Sequence, residues 1–257
     1  MTLKLIGTRK KGKKVIFKIK EQEKIISLRD KNLSHIDLSP LENNESITHL
    51  QLECNKITDI DLSPLSSCKN LSQLWLSGNQ LKELNLKPLA NCDSFSTLIL
   101  ANNILKNIDL SPLSKCQHLS FVIVNRNALT SVDLSPLKNN KRLYHLNFSN
   151  NLLEEIDLSP LSACNLTKLN LSNNQLSTID LSPLKGCKKL DELWLMFNNF
   201  KEVDLSPLIE CSNLINFNLD PDTSIIWENI SLKIEELSEG IQKHIKKVER
   251  YYVKRKN

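Results

Sequence analysis

Residues 60–81 read IDLSPLSSCKNLSQLWLSGNQL, and most of this string returns further along the chain. Close copies begin at residue 108 (IDLSPLSKCQHLSFVIVNRNAL) and at residue 179 (IDLSPLKGCKKLDELWLMFNNF). Prolines mark the register at positions 40, 64, 88, 112, 136, 160, 183 and 207, so the period is 24 residues with a single step of 23. A fixed period of roughly 20–50 residues is typical of a solenoid, in which each repeat stacks on its neighbours.

Each repeat contains a short segment in which apolar residues alternate with variable ones, as in LWLSGN at 74–79. This alternation predicts a strand with one face inward, and stacked copies predict a parallel sheet. The asparagine that closes each segment is predicted to form a buried ladder, because its amide can satisfy backbone groups of the loop. The ladder positions are 55, 79, 103, 127, 151, 174 and 198, with Lys31 and Asp222 in their place at the two ends.

A Ser-Pro pair opens the return path of most repeats, as at Ser63–Pro64. The serine is predicted to cap a single helical or 3₁₀ turn, because proline is already set at a helical φ. The leucine that follows, such as Leu65, is predicted to point into the core. Repeat six is one residue short, which indicates a trimmed loop between Cys164 and Leu166.

Aligned on the prolines, each unit reads LxxLxLxxNxLxxIDLSPLxxCxx. This pattern resembles the leucine-rich repeat family over residues 25–220, as eight full repeats and a terminal partial repeat. The resemblance implies an α/β fold: a gently curved solenoid with a parallel sheet on its concave face and short 3₁₀ or helical turns on its convex face. It also implies that partners bind on the concave face.

The segments outside the repeats are predicted to cover the ends of the array. Residues 1–24 contain TLKLIG and VIFKIK around TRKKGKK, which predicts an N-terminal β-hairpin cap over the first strand. Residues 221–257 are predicted to form a C-terminal capping helix and a basic tail, preceded by Ile225, Ile226 and Trp227. The apolar stripe of this helix comprises Ile234, Leu237, Ile241, Ile245, Val248 and Tyr252.

Charge is concentrated at the ends of the chain. The net charge is +5, of which residues 1–24 carry +7, residues 221–257 carry +2 and residues 25–220 carry −4. The basic runs at 9–14 and 250–256 are favoured as solvated segments over contacts with nucleic acid or anionic lipid. The start of the chain lacks the features of a secretory signal, so a cytoplasmic protein is expected.

Two columns of polar residues recur in the return path. Six of the seven cysteines (68, 92, 116, 164, 187 and 211) share one repeat position, where Asn44 and Asn140 stand in two other units. They are predicted to be buried free thiols, because no CxxC pair is present for a metal site; Cys54 is predicted to be accessible. An outward aspartate column, from Asp37 to Asp204, is predicted to bind turn backbone or serine hydroxyl groups, with a cation ladder as the alternative.

No catalytic motif is recognisable: the histidines lack an HExxH context, and no GxSxG or Walker loop is present. We therefore expect a monomeric protein without enzymatic activity, cofactor, metal site or small-molecule substrate. Its expected function is to bind a protein partner through the outward strand residues. Regulation of a small GTPase, with Arg126 as an arginine finger, is the alternative among signalling functions.

The candidate partner-binding residues are outward strand positions, where large apolar side chains are unusual unless they contact a partner. A first cluster comprises Trp75, Ile99, Phe121 and Ile123, and a second comprises Trp194, Met196 and Phe197. Arg126 and His145 complete the predicted surface. The opposing interpretation is that these side chains only cover one another along the sheet.

Overall fold

The computed structural model describes residues 2–227 and 234–256. In chain order its strands and its one α-helix are β1 (Thr2–Arg9), β2 (Lys14–Lys20), β3 (Ile25–Ser27), β4 (Leu33–Asp37), β5 (His49–Gln51), β6 (Gln73–Trp75), β7 (Thr97–Ile99), β8 (Phe121–Ile123), β9 (His145–Asn147), β10 (Lys168–Asn170), β11 (Glu192–Trp194), β12 (Glu202–Asp204), β13 (Asn216–Asn218), β14 (Ser224–Ile226) and α1 (Glu239–Lys256). Short 3₁₀ turns connect them at Lys10–Gly12, Ser39–Leu41, Ser63–Ser67, Lys87–Asn91, Ser111–Lys115, Ser135–Leu137, Ser159–Leu161, Ser182–Leu184, Ser206–Glu210 and Ile234–Glu236.

One strand from each repeat contributes to a nine-stranded parallel sheet in the order β13-β11-β10-β9-β8-β7-β6-β5-β3. Equivalent residues of neighbouring repeats lie opposite one another, so Leu74 pairs with Leu98 and Leu98 pairs with Val122. These side chains are fully buried, and the inward leucines of the return path join them in one continuous core. The predicted leucine-rich repeat solenoid is therefore confirmed.

The asparagine ladder forms as predicted. Asn103, for example, donates from Nδ2 to the carbonyls of Leu76 and Leu100, both at 3.0 Å, and accepts the amide of Leu81 at 3.1 Å. Each asparagine thus bonds to backbone of its own repeat and of the preceding one. At the C-terminal end, the Asp220 carboxylate accepts the amides of Phe197 and Asn198, whereas the equivalent amides of Arg126 and Asn127 donate to backbone carbonyls of the next repeat.

The cysteine column is confirmed as buried free thiols, and Cys54 is exposed as predicted. Cys68 donates from Sγ to the carbonyl of Leu41 in the preceding repeat at 3.2 Å. Burial raises the pKa of the Cys92 and Cys211 thiols to about 12, so both are protonated at neutral pH. Asn140 replaces this contact with a hydrogen bond from Nδ2 to the carbonyl of Cys116 at 2.8 Å.

The prediction that serine caps each 3₁₀ turn is wrong. Leu62 occupies the N-cap position with no side-chain hydrogen bond, and Ser63 is already the first residue of the turn. The cap is Asp61, whose Oδ1 accepts the amide of Ser63 at 2.8 Å while Oδ2 accepts its hydroxyl at 2.7 Å. The aspartate column therefore makes the predicted contacts with turn backbone and serine hydroxyl groups.

We expect acid to weaken the fold through this column. Hydrogen bonds from Ser63 hold the pKa of Asp61 below its usual value, and Ser111 and Ser159 do the same for Asp109 and Asp157. The unfolded chain then binds protons more readily, so stability present above about pH 4 is lost as pH falls through the lowered pKa values. Thermal melts from pH 7 to pH 2.5 measure this loss.

The triple variant D61N/D109N/D157N provides the matched test of that prediction. Asparagine is compatible with the position, because Asn85 already accepts the amide of Lys87 at 3.0 Å. The triple variant should lose less of its melting temperature between pH 5 and pH 2.5 than the wild type, whereas D93N, outside the column, should follow the wild-type curve. Identical acid profiles for the wild type and the triple variant would refute the assignment.

The predicted N-terminal hairpin is present, with β1 and β2 antiparallel from Thr2–Lys20 to Thr8–Lys14. It does not cover the first sheet strand as expected, because β1 pairs instead with β4, on the return path of the first repeat. The hairpin approaches β4 closely at Gly7, where a Cβ atom would lie 2.6 Å from Leu33 Cδ2. The hairpin therefore covers the first repeat on its return path, by pairing with the edge of β4.

At the other end, Leu237 and Ile241 of the predicted apolar stripe are buried, and Ile245 packs against the core. The helix closes on the last repeat at Gly240, where a Cβ atom would lie 2.8 Å from the Leu214 carbonyl oxygen. The side chains of Ile234, Val248, Tyr252 and the basic run at 250–256 lie outside those that the structure describes.

The segment before the helix contains one exception to the prediction. Ile225 and Trp227 pack against the core, whereas Ile226 is exposed, because residues alternate between the two faces of β14. Within 2–227 and 234–256, no helix is both long and apolar enough to cross a membrane.

Candidate functional site

Trp75, Ile99, Phe121 and Ile123, here called the anchor patch, lie together on the concave face of the sheet. Trp75 is opposite Ile99 and Ile99 is opposite Ile123, on the adjacent strands β6, β7 and β8. Phe121 is two residues before Ile123 and therefore points to the same face. All four are half-buried, and none is among the side chains that pack against the core in the described residues.

Small residues lie beside the anchor patch on the same strand as Ile99 and in the residues after it. Thr97 and Ala101 are buried although both occupy outward strand positions. Trp75 is itself shielded at Nε1, which is buried without a hydrogen-bond partner in the part of the chain that the structure describes. The anchor patch thus combines an apolar surface with an indole N–H group that lacks an acceptor.

Aromatic contacts extend the patch toward β9. The ring of Phe121 lies 5.5 Å from that of Tyr144 and 6.2 Å from that of His145, measured between centroids. Burial lowers the pKa of His145, and the nearby positive charge of Lys168 lowers it further. His145 is therefore a neutral, aromatic neighbour of the patch at neutral pH.

An ion pair that was not predicted from the sequence lies between the two apolar clusters. Lys168 Nζ lies 2.7 Å from Glu192 Oε1 across the neighbouring strands β10 and β11. The same carboxylate accepts the indole N–H of Trp194 at 3.4 Å. A sequence signal was available, because opposite charges stand at the same repeat position one repeat apart, where strands place them side by side.

Trp194, Met196 and Phe197 lie together at the end of β11 and in the loop after it. Trp194 and Met196 are half-buried, whereas Phe197 is 60% exposed. Arg126 occupies the equivalent loop position three repeats earlier and is also exposed. These two residues lie at the rim of the concave face.

Glu53 is a further polar residue of this face, two residues beyond Gln51 of β5, where alternation along the strand predicts an outward side chain. It is only 7% exposed, and its Oε2 atom has no hydrogen-bond partner in the described residues. Burial raises the pKa of the Glu53 carboxyl group, with Arg29 acting in the opposite direction. The sequence could not reveal this burial, because it depends on how neighbouring side chains cover the strand.

The described residues contain no group of three or more His, Cys, Asp or Glu side chains arranged to hold a metal ion. In the part of the chain that the structure describes, the concave face instead presents half-buried aromatic and aliphatic groups, the Lys168–Glu192 ion pair and a few polar atoms without hydrogen-bond partners. Such surfaces are typical of sites that bind macromolecules.

Comparisons with known proteins agree with this architecture. A family model described as leucine-rich repeats (2 copies) matches residues 45–91 and 164–210. The internalin C2 of Listeria monocytogenes is 30% identical with a TM-score of 0.62, over 77% of this chain and 80% of that one. The comparison with curated proteins found no match. The chain belongs to the leucine-rich repeat family.

Two further solved structures share the fold over a smaller part of their own length. The internalin InlF of Listeria monocytogenes is 26% identical with a TM-score of 0.61, over 80% of this chain and 55% of that chain. The plant peptide hormone receptor RGFR1, solved in complex with RGF2, is 18% identical with a TM-score of 0.65, over 74% of this chain and 30% of that chain. This chain thus spans little more than half of InlF and less than a third of the receptor.

Proposed function

We propose that the protein is a non-enzymatic binding module that holds a protein partner on its concave face. The observation that carries the proposal is the anchor patch: Trp75, Ile99 and Ile123 lie in register on three adjacent strands, and none of these side chains packs against the core. Phe121, two residues before Ile123, points to the same face. Aromatic residues are favoured anchors of protein interfaces, because they bury a large area at low entropic cost.

The family supports the same conclusion. The receptor RGFR1, which shares the fold, was solved in complex with RGF2. In the present chain the inward columns are nearly invariant from repeat to repeat, whereas the outward positions differ. The outward residues are therefore free of the constraint that packing imposes, and partner contacts are the function that best accounts for an apolar cluster among them.

The double variant W75A/F121A should lose partner capture. Truncating two central anchors typically removes several kcal/mol of binding free energy, so we expect the affinity to fall at least about 30-fold. The measurement is affinity capture from an extract of the source cells, quantified by mass spectrometry, followed by titration of the captured partner.

A matched control is I104A/L152A, which removes two exposed apolar side chains outside the sheet strands. This variant should capture the same partner as the wild type. Equal capture by the wild type and W75A/F121A, with both folded, would show that the anchor patch does not bind the partner.

A further inference from the structure

A row of left-handed residues runs along the rim of the concave face. In every repeat from the first to the eighth, the residue before the ladder position has φ between 55° and 67°. Glycine, asparagine and aspartate adopt this conformation most readily, and bulkier side chains are strained in it. The eight residues of the row are Asp30, Cys54, Gly78, Asn102, Arg126, Asn150, Asn173 and Phe197.

Three members of the row are unsuited to this conformation: Cys54, Arg126 and Phe197. They belong to repeats two, five and eight, so they recur at every third repeat. Neighbouring strands are about 4.8 Å apart, which places consecutive members of the trio about 14 Å apart along the rim. The unsuited residues are thus evenly spaced on one edge of the proposed binding face.

The fold does not require these side chains. The Arg126 amide donates to the Ser149 carbonyl at 2.9 Å, just as the Asn102 amide donates to the Asn125 carbonyl at 3.0 Å. Within the described residues, the Arg126 side chain makes no ion pair or hydrogen bond. Phe197 is 60% exposed and is not packed against the core. Residues that hold a strained backbone conformation while their side chains stay exposed are characteristic of sites that bind ligands.

Between Arg126 and Phe197, the row presents Asn150 and Asn173, both exposed. Side-chain amides can both donate to and accept from a peptide backbone. Arg126 supplies a positive charge without a counter-charge, and Phe197 supplies an apolar surface. An extended chain advances about 3.3 Å per residue, so the 14 Å interval corresponds to about four residues, and residues four apart point to the same side.

We infer that the rim from Arg126 to Phe197 binds an extended segment of the protein partner. In this segment a carboxylate side chain contacts Arg126, and an apolar side chain four residues away contacts Phe197. This inference rests on the proposed function and assigns its specificity to residues outside the anchor patch. Because the strain is retained for contact with the partner, removing it should stabilise the free protein.

Ten-residue peptides provide the direct test. Each carries a fluorescein label, a Ser/Thr/Gly background, one Glu and one Phe, with the two placed two to six positions apart in either order. Fluorescence anisotropy with the full chain should show the highest affinity at a separation of four, by about fivefold over separations of two or six. Replacing the peptide Glu with Gln should weaken binding to the wild type but not to R126N. Replacing the peptide Phe with Ser should weaken binding to the wild type but not to F197N.

Thermal melting of the same variants supplies a readout that binding does not affect. R126N and F197N should each raise the melting temperature, by about 1–3 °C, since asparagine tolerates the left-handed conformation. The reciprocal controls N102R and N173F, at the same repeat position, should lower it. A lower melting temperature for R126N or F197N would overturn the inference, because the side chains would then support the fold.

The binding outcomes are equally decisive. Affinity that is independent of the Glu–Phe separation, or unchanged in R126N and F197N, would overturn the inference, and so would failure of every peptide to bind. None of these results bears on W75A/F121A, so capture of the partner by the anchor patch stands or fails separately.

Discussion

Replacing Asn103 with leucine should lower the free energy of unfolding by about 2–6 kcal/mol, although the two side chains are similar in size. Asn103 is 7% exposed, and its amide bonds to the carbonyls of Leu76 and Leu100 and to the amide of Leu81. Leucine would leave the buried Leu81 amide without a partner, at a cost of about 1–3 kcal/mol. It would also remove one of the two hydrogen bonds at each carbonyl, about 0.5–1.5 kcal/mol apiece, while Asn79 still donates to Leu76 and Asn127 to Leu100. Most of this loss of stability comes from hydrogen bonds between consecutive repeats, so it measures what the asparagine ladder contributes to their stacking.

Urea unfolding followed by circular dichroism measures this loss. The matched control is N107L, because Asn107 lies in the same repeat but is exposed, and its side chain makes no hydrogen bond in the described residues. That substitution should change stability by no more than about 0.5 kcal/mol. If N103L were as stable as N107L, the ladder would contribute nothing to the stacking of the repeats.

The double variant L74A/V122A should lose about 4–7 kcal/mol of stability. Leu74 and Val122 are both fully buried, on β6 and β8. Their removal leaves cavities in a core that is continuous from repeat to repeat, and the two sites are separated by β7, so their effects should be nearly additive. Urea unfolding of the double variant and the two single variants gives both the total and the additivity.

A loss below about 2 kcal/mol would contradict the assignment of these residues to the core. A loss of the expected size that is far from additive would instead show that β7 transmits a structural change between them. Either result is read from the same set of unfolding curves.

The repeat made most of the fold predictable from the sequence. A period of 24 residues fixes the stacking, and positions such as Leu74 and Cys92 can point only inward if the repeats are to close on one another. The ladder asparagines follow from the same argument, since a buried amide needs partners and the loop backbone supplies them. Local patterns that recur in every unit are thus easily interpreted.

Features that depend on contacts between different units were not predictable. The pairing of β1 with β4 was missed because the hairpin sequence does not record which edge it covers. The cap was assigned to Ser63 although Asp61 performs it, because aspartate two residues upstream competes with serine for the same amide. Glu53 is buried by its neighbours, and no property of its own repeat reveals that.

The candidate site was partly predictable. Alternation along a strand places Trp75, Ile99 and Ile123 on one face, and the sheet register brings them together. The sequence also contained a signal for the left-handed conformation of Arg126 and Phe197, because asparagine and glycine occupy the same position in other repeats. The signal becomes meaningful only when the backbone shows that the position has a positive φ.

The stability of W75A/F121A, compared with that of L74A/V122A, tests the central claim most directly. The two pairs are neighbours on the same strands and point to opposite faces of the sheet. We expect W75A/F121A to unfold within about 1.5 kcal/mol of the wild type, since it loses cross-strand contacts but no core packing. A loss of 4 kcal/mol or more, similar to that expected of the core pair, would show that Trp75 and Phe121 hold the fold together, and the concave face would then have no free anchors to offer a partner.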